Sequence, residues 1–98
     1  MHVVSKSALR ACWNRHPEWK TVLSAWFTEV KAHKWSKPSD VTQAYPQSSI
    51  IKDGRVVFRI TREIRLIAWI NYRRRQVYIK WVGHHKDYDR IDPVTVGL

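Results

Sequence analysis

Acidic residues are scarce in this chain: 8 Asp and Glu stand against 18 Lys and Arg, a formal net charge of +10. Such a field steers a protein toward polyanions and says little about its fold. Nucleic acid is the first partner class it implies, an anionic membrane surface the second, and an acidic protein segment the third. Cysteine is nearly absent. Cys12 stands alone, which excludes a disulfide framework and a thiolate metal site and suits a reducing cytoplasm. Long apolar runs are missing too, since the longest, Leu66 to Ile70, falls far short of the ~20 residues of a membrane span. The opening MHVVSKSALR has neither an apolar core nor a cleavage-like site, so no signal peptide is expected. No repeat or low-complexity tract interrupts the chain. What is present is an ordinary hydrophobic fraction, 44% of 98 residues, enough for one core and one domain over residues 1–98.

Hydrophobic periodicity divides the chain into helices followed by strands. His2 to Val4 reads as a short edge strand, and Ser5 as the N-cap of a helix with Ala8, Leu9, Cys12 and Trp13 inward. That helix should end near His16, with Pro17 opening a second one. In the second helix Trp19, Val22, Leu23, Trp26, Phe27 and Val30 form one continuous stripe at helical spacing, which core packing against a sheet explains without any ligand. Lys34 to Pro46 reads as a connection, with Ser39 or Asp40 able to cap a short helical turn through Ala44. Asp53-Gly54 signals a hairpin between strands at Ser49 to Lys52 and Arg55 to Ile60. Arg65 to Asn71 is apolar on both faces, as a covered central strand would be, and Gln76 to Gly83 makes the last strand. The expected fold is α+β: two N-terminal helices on one face of a mostly antiparallel sheet of four to five strands.

The stretch from Arg55 to Asp92 carries the chemistry. Between Arg55 and Lys80 it holds Arg55, Arg59, Arg62, Arg65, Arg73, Arg74, Arg75 and Lys80 against one acid, Glu63. Cations on turns also serve to keep sheet edges soluble and unpaired. Arg65 and Lys80, however, lie inside strands beside aromatic residues, a mixture that suits RNA, whose bases stack while its phosphates pair with charge. With a period of two, Arg65, Ile67, Trp69 and Asn71 share a face, and Lys80 is expected beside Tyr78 and Val82. The strands lead into Gly83-His84-His85-Lys86-Asp87-Tyr88-Asp89. A single helical turn there would bring His85 and Tyr88 to one side. Imidazole exchanges a proton near neutral pH, and a phenol donates one or holds an oxyanion. Nearby cations would stabilise a crowded, phosphorane-like transition state. A zinc set of His84, His85, Asp87 and Asp89 is disfavoured, because adjacent histidines rarely point at one ion and no cysteine helps. No metal and no cofactor are expected.

Three motifs carry a family resemblance: the opening MHVVSKSAL, the central KDGRVVFRI, and above all IRLIAWINYRRRQVYIKWVGHHKDYDRID. They make the chain similar to the HigB-type toxins of the RelE/ParE superfamily, in which an Arg-Leu-Ile strand, Ile-Asn-Tyr, a further strand, Val-Gly-Thr-His and Tyr-Asp follow in this order. The resemblance covers nearly the whole chain and implies a compact RelE-like domain. It implies a bacterial, cytoplasmic ribonuclease that cuts messenger RNA, often on the ribosome, and a cognate HigA-like antitoxin with a helix-turn-helix DNA-binding domain. Operator DNA would be reached only through that antitoxin, and no membrane is involved. Carried over by position, Arg65 matches the strand arginine, Asn71-Tyr72 the Asn-Tyr pair, His85 the histidine of Thr-His, and Tyr88-Asp89 the Tyr-Asp. The chain departs from the pattern at His84, where threonine is usual, at Thr61-Arg62-Glu63, often Gly-Gly-Asn, and at Lys80, often arginine.

These lines give one expectation, a metal-independent mRNA endoribonuclease toxin using the ribose 2′-hydroxyl as nucleophile. Arg65 and Lys80 are expected to hold the scissile phosphate, His85 to act as general acid or base, and Tyr88 to position or donate a proton. Arg59, Asn71, Arg73, Arg74 and Arg75 are expected to contact the RNA. Two other readings fit the same scaffold: a ParE-like, non-enzymatic inhibitor of DNA gyrase, and a basic RNA-binding module without cleavage.

Overall fold

The fold is described from a computed structural model, in which residues 1–97 are described. Its elements run β1 (His2–Val4), α1 (Lys6–Arg15), a 3-10 turn (Pro17–Trp19), α2 (Lys20–Ala32), α3 (Pro38–Ala44), β2 (Ser49–Ile50), a second 3-10 turn (Lys52–Gly54), β3 (Arg55–Arg59), β4 (Ile64–Asn71), β5 (Gln76–His84) and α4 (His85–Tyr88). The second 3-10 turn takes up Lys52, expected to end the strand before it. The strands form one sheet in the order β1-β5-β4-β3-β2, so the strand that is apolar on both faces is the central one. This is the RelE-like α+β arrangement expected from the sequence.

Each helix start has a local cause. Ser5 stands before α1, but with φ 71 in the left-handed region and without a side-chain cap. It turns the chain sharply out of β1 instead of capping. Pro17 opens the 3-10 turn ahead of α2, and Pro38 opens α3, where a missing N–H costs nothing. The start of α3 at Pro38 therefore precedes the expected cap at Ser39 or Asp40. Asp40 reaches backward, and its Oδ2 accepts from Ser36 N at 2.9 Å and Ser36 Oγ at 3.1 Å. Asp53 (φ 62) and Gly54 (φ 79) both take positive φ, as a tight hairpin twisted with its strands requires.

Alternating residues of the sheet make the core. Val56, Phe58, Ile64, Leu66, Ala68, Ile70, Val77 and Ile79 are buried with Leu9, Cys12, Leu23, Trp26 and Val30 from the helices. Phe58 is the aromatic hub. Its ring meets Trp26 edge-on at 5.3 Å, Tyr45 edge-on at 5.3 Å and Trp35 stacked at 6.1 Å. Such pairs contribute about 0.5–1.5 kcal/mol each beyond burial. The helical stripe behaves as core, with Trp19, Leu23, Trp26 and Val30 buried.

Two features of the sheet were not read from the sequence. First, β1 joins β5 in parallel, with His2 opposite Gln76 and Val4 opposite Tyr78, while the other neighbours are antiparallel. Second, β5 carries a bulge. Ile67 pairs with Trp81 and Ala68 with Ile79, leaving Lys80 as the extra residue. A bulge shifts the inside–outside alternation by one. Lys80 therefore shares the open face with Tyr78 and Trp81, whereas Val82 turns to the core. The expected Lys80–Val82 face does not form.

The open face is itself partly covered. Ile67 and Val57 are buried there, and the segment after α4 returns across this face. Arg55 Nη1 donates to the carbonyls of Pro93 at 3.0 Å and Val96 at 2.6 Å. Arg55, counted above among the cations open to a polyanion, is thus only 3% exposed. No helix among the described residues is long and apolar enough to cross a membrane.

Candidate functional site

Strand pairing brings one set of candidate residues together at the end of the sheet where β4 begins. Arg59 on β3 lies opposite Arg65 on β4, and Arg65 lies opposite Gly83 on β5. Like charges directly opposed on a sheet are destabilising, so this row carries a cost that core packing does not explain. The Arg65 guanidinium is held by the turn that precedes it: Nη1 donates to Thr61 O at 2.9 Å, Arg62 O at 3.2 Å and Ile64 O at 3.3 Å. One edge of the fork is thus anchored on neutral carbonyls. Its charge stays uncompensated, since among the described residues the one ion pair is His16–Glu18 at 3.5 Å.

Beside Arg65 the sheet presents an aromatic floor. A Cβ added at Gly83 would lie 2.8 Å from two ring atoms of Trp81, so the indole rests over the glycine. Trp81 also meets Tyr88 of α4, with ring centroids 6.2 Å apart. Sequence reasoning passed over Trp81, because uninterrupted alternation puts it on the face opposite Lys80. The bulge reverses that placement.

The helical turn expected to carry His85 and Tyr88 is α4. His85 N donates to Glu63 O at 2.7 Å, tying its start to the β3–β4 turn. The two histidines then differ in their contacts. His84 is the N-cap of α4, with Nδ1 accepting from Lys86 N at 3.1 Å, and its ring faces Trp19 at 6.4 Å. His85 stands within the helix, its ring 4.5 Å from that of His84. Among the described residues no hydrogen bond occupies the His85 imidazole or the Tyr88 hydroxyl. Both remain available to a substrate. Nor do His84, His85, Asp87 and Asp89 converge, as no group of three or more potential metal ligands occurs among the described residues.

The other candidates lie elsewhere. Lys80 is three residues from Gly83 along β5, about 10 Å of strand rise. It lines a separate cavity with Asp53, Arg55, Trp69, Val94 and Thr95. Lys80 and Arg65 thus share the open face, with their backbones about 10 Å apart along it. Arg73, Arg74 and Arg75 occupy the β4–β5 turn, exposed, at the opposite end of the hairpin. Asn71 shapes that turn, its Oδ1 accepting from Arg74 N at 3.1 Å.

Residues 19–91 match the model of the HigB toxin family, described as the RelE-like toxic component of a toxin-antitoxin system. An mRNA interferase HigB of Escherichia coli O6:H1 is 23% identical over 94 residues, covering 93% of this chain and 91% of the relative. The mRNA interferase HigB of Shigella flexneri is 28% identical over 92 residues, covering 91% and 88% respectively. Matched over most of its length, and with the sheet order and helical layer described above, the chain belongs to the HigB family of RelE-like toxins.

Proposed function

We propose that this toxin is an mRNA-cleaving endoribonuclease whose reacting groups gather at the Arg65–His85–Tyr88 end of the sheet. What carries this reading is an anchored guanidinium with uncompensated charge, opposite Gly83 at the end of the sheet from which α4 carries His85 and Tyr88, neither of whose side chains takes a hydrogen bond among the described residues. The ribose 2′-hydroxyl attacks phosphorus, forming the 2′-oxygen–phosphorus bond and expelling the 5′-oxygen. His85 moves a proton in that exchange, taking it from the 2′-hydroxyl or giving it to the leaving oxygen. Tyr88, seated on Trp81, positions the phosphate or supplies the second proton. Arg65 stabilises the charge that develops on the non-bridging oxygens, with Arg59 beside it on the RNA backbone. The products are a 2′,3′-cyclic phosphate and a 5′-hydroxyl, and the chemistry needs no metal.

The wider setting follows from the family. A cognate antitoxin pairs with the toxin, and a HigA-like protein with a helix-turn-helix domain fits that role. Ribosome-bound mRNA in a bacterial cytoplasm is the substrate this reading favours, and one domain over residues 1–98 carries the activity. Arg73 to Arg75, exposed at the far end of the hairpin, touch RNA remote from the cleaved bond in this reading.

Purified protein incubated with free RNA, with and without chelator, tests the chemistry. Cleavage that persists in EDTA and leaves a cyclic or 3′-phosphate is the expected result. Activity abolished by EDTA and restored by zinc overturns the metal-free route. Transcript mapping after brief induction, with gyrase supercoiling measured in parallel, tests the class. Lost supercoiling with intact transcripts would instead make the protein a gyrase inhibitor.

A further inference from the structure

The cavity lined by Lys80, about 350 Å³, lies on the open face between the Asp53-Gly54 turn, the middle of β4 and β5, and the returning C-terminal segment. Two cations line it, and neither has a carboxylate partner within 4.0 Å among the described residues. Arg55 is 97% buried in the sense that only 3% of its surface is exposed. Its Nη1 is taken by two carbonyls, while its Nη2 is buried and has no hydrogen-bond partner among the described residues. A guanidinium charge enclosed by neutral carbonyls, with an amino group unspent, favours an anion nearby. Lys80 supplies the second charge from the bulge, its Nζ 5.9 Å from the centre of the Tyr78 ring. Trp69 and Tyr78 pair across the strands at 5.2 Å, and each keeps part of its surface exposed. Asp53 is exposed at the rim and brings a negative charge.

We propose that this cavity is a nucleotide subsite, which holds one phosphodiester of single-stranded RNA against Lys80 and Arg55 with a neighbouring base on Trp69 and Tyr78. Two cations and an aromatic pair are the elements that single-strand recognition uses. Asp53 decides between sources of phosphate. Its carboxylate repels a free phosphate dianion but accepts a hydrogen bond from a ribose hydroxyl or a base amino group, so a singly charged diester suits the pocket better. The cavity lies three residues of β5 from the Arg65 row, about 10 Å. A single strand of RNA spans that distance in a few nucleotides, so one chain reaches both sites. The proposal rests on the ribonuclease reading only for the identity of its ligand.

The test reads binding without cleavage. A 2′-O-methyl oligonucleotide, which lacks the nucleophile, is titrated into the full-length, isotope-labelled protein and followed by NMR. Among the six tryptophans, the Trp69 indole signal is identified by its loss in Trp69→Phe. The expected result is movement of the Trp69 indole and of the Lys80 and Thr95 amides. Lys80→Gln should abolish that movement, keep the shifts at Gly83 to Tyr88, and lower the salt slope of log affinity by about 0.7. Its thermal unfolding, measured alongside, checks that the sheet is intact. Inorganic phosphate should move Trp69 only at far higher concentration. Equal potency of phosphate and oligonucleotide overturns the assignment to RNA and makes the pocket a free-anion site. Shifts confined to Gly83 to Tyr88 eliminate the subsite but keep the ribonuclease reading. Shifts at Trp69 in a protein that cleaves no RNA leave the subsite standing and remove the ribonuclease.

Discussion

His84 and His85 are adjacent, yet replacing each with alanine should produce opposite phenotypes. His84 Nδ1 accepts from Lys86 N at 3.1 Å as the N-cap of α4, and its ring lies 6.4 Å from that of Trp19. Losing an N-cap acceptor costs typically ~1 kcal/mol. In a domain of this size that corresponds to a fall in Tm of roughly 4–8 °C. Because α4 is only four residues long, its cap is a large part of what defines it. His84→Asn restores an acceptor at the cap and should recover most of the loss. His85 makes no comparable bond, so His85→Ala should stay within the ~0.5 kcal/mol usual for surface changes. Its effect should appear in the chemical step, as a fall of about 10²-fold or more in single-turnover cleavage. Calorimetry on the three variants, with cleavage of one RNA under single-turnover conditions, separates the two roles. If His84→Ala melts like the parent protein but loses cleavage, while His85→Ala keeps it, the roles are exchanged and the cap argument is wrong.

Salt should act on stability and on binding with opposite signs, because the described residues include no Lys or Arg paired with a carboxylate within 4.0 Å. Raising NaCl from 0.05 to 0.5 M, illustrative concentrations spanning about a threefold change in Debye length, should raise Tm and weaken RNA binding; a fall in both would show that attractive pairs dominate. Burial, reinforced by Glu29 at 2.7 Å, pushes the Tyr45 phenol well above its usual range. Above pH ~10 the unfolded chain gives up a proton that the folded chain keeps, so stability should fall as pH rises. Denaturant titrations at alkaline pH should show that fall, and Tyr45→Phe should flatten it; parallel curves would exclude Tyr45 as the cause. Gly83→Ala should lift Trp81 from its seat, since the new methyl meets the ring at 2.8 Å. Trp81 is only half-buried and can swing away, so fluorescence and cleavage should change more than Tm, and an unchanged emission spectrum would count against the seat.

Much of the fold was legible because burial writes periodicity into the chain. Trp19, Leu23, Trp26 and Val30 show the helical period and are all buried. Asp53-Gly54 shows the hairpin and takes the positive φ that a primed turn needs. Leu66 to Ile70 shows the central strand by having no polar face. What periodicity does not carry is the direction of a neighbour. His2 to Val4 reads as a strand whether it lies parallel or antiparallel, and its parallel seat on β5 follows from where α1 and α2 return the chain. The cap at Ser5 failed for a related reason. Residue type suggests a cap, whereas the tight exit from β1 requires a left-handed residue there. At the site, the turn carrying His85 and Tyr88 was legible from spacing. The division of labour between the histidines was not, because it depends on which ring faces Trp19. Arg55 misled for the plainest reason. A strand arginine looks exposed until a later segment, Pro93 to Val96, folds over it.

The bulge explains both the misplaced lysine and the separation of two basic sites. Removing Lys80 from β5 would leave Ile79, Trp81, Val82 and Gly83 in plain alternation, with the same faces they now have against Ala68, Ile67, Leu66 and Arg65. The ladder therefore closes without Lys80, and core packing does not ask for it. What the extra residue adds is a second side chain on the open face next to Trp81, and that side chain carries a charge. Bulges locally strengthen strand twist and re-aim side chains. Here the open-face residues on either side of the bulge serve different neighbourhoods: Tyr78 and Lys80 look toward Trp69 and Arg55, Trp81 and Gly83 toward Arg65 and Tyr88. The two neighbouring strands thus present two cation-and-aromatic pairs, Lys80 with Tyr78 on β5 and Arg65 of β4 with Trp81 of β5, about 10 Å apart. An apolar core gains no stability from that arrangement, which accords instead with the proposal that Lys80 and Arg65 hold separate phosphates of one RNA strand.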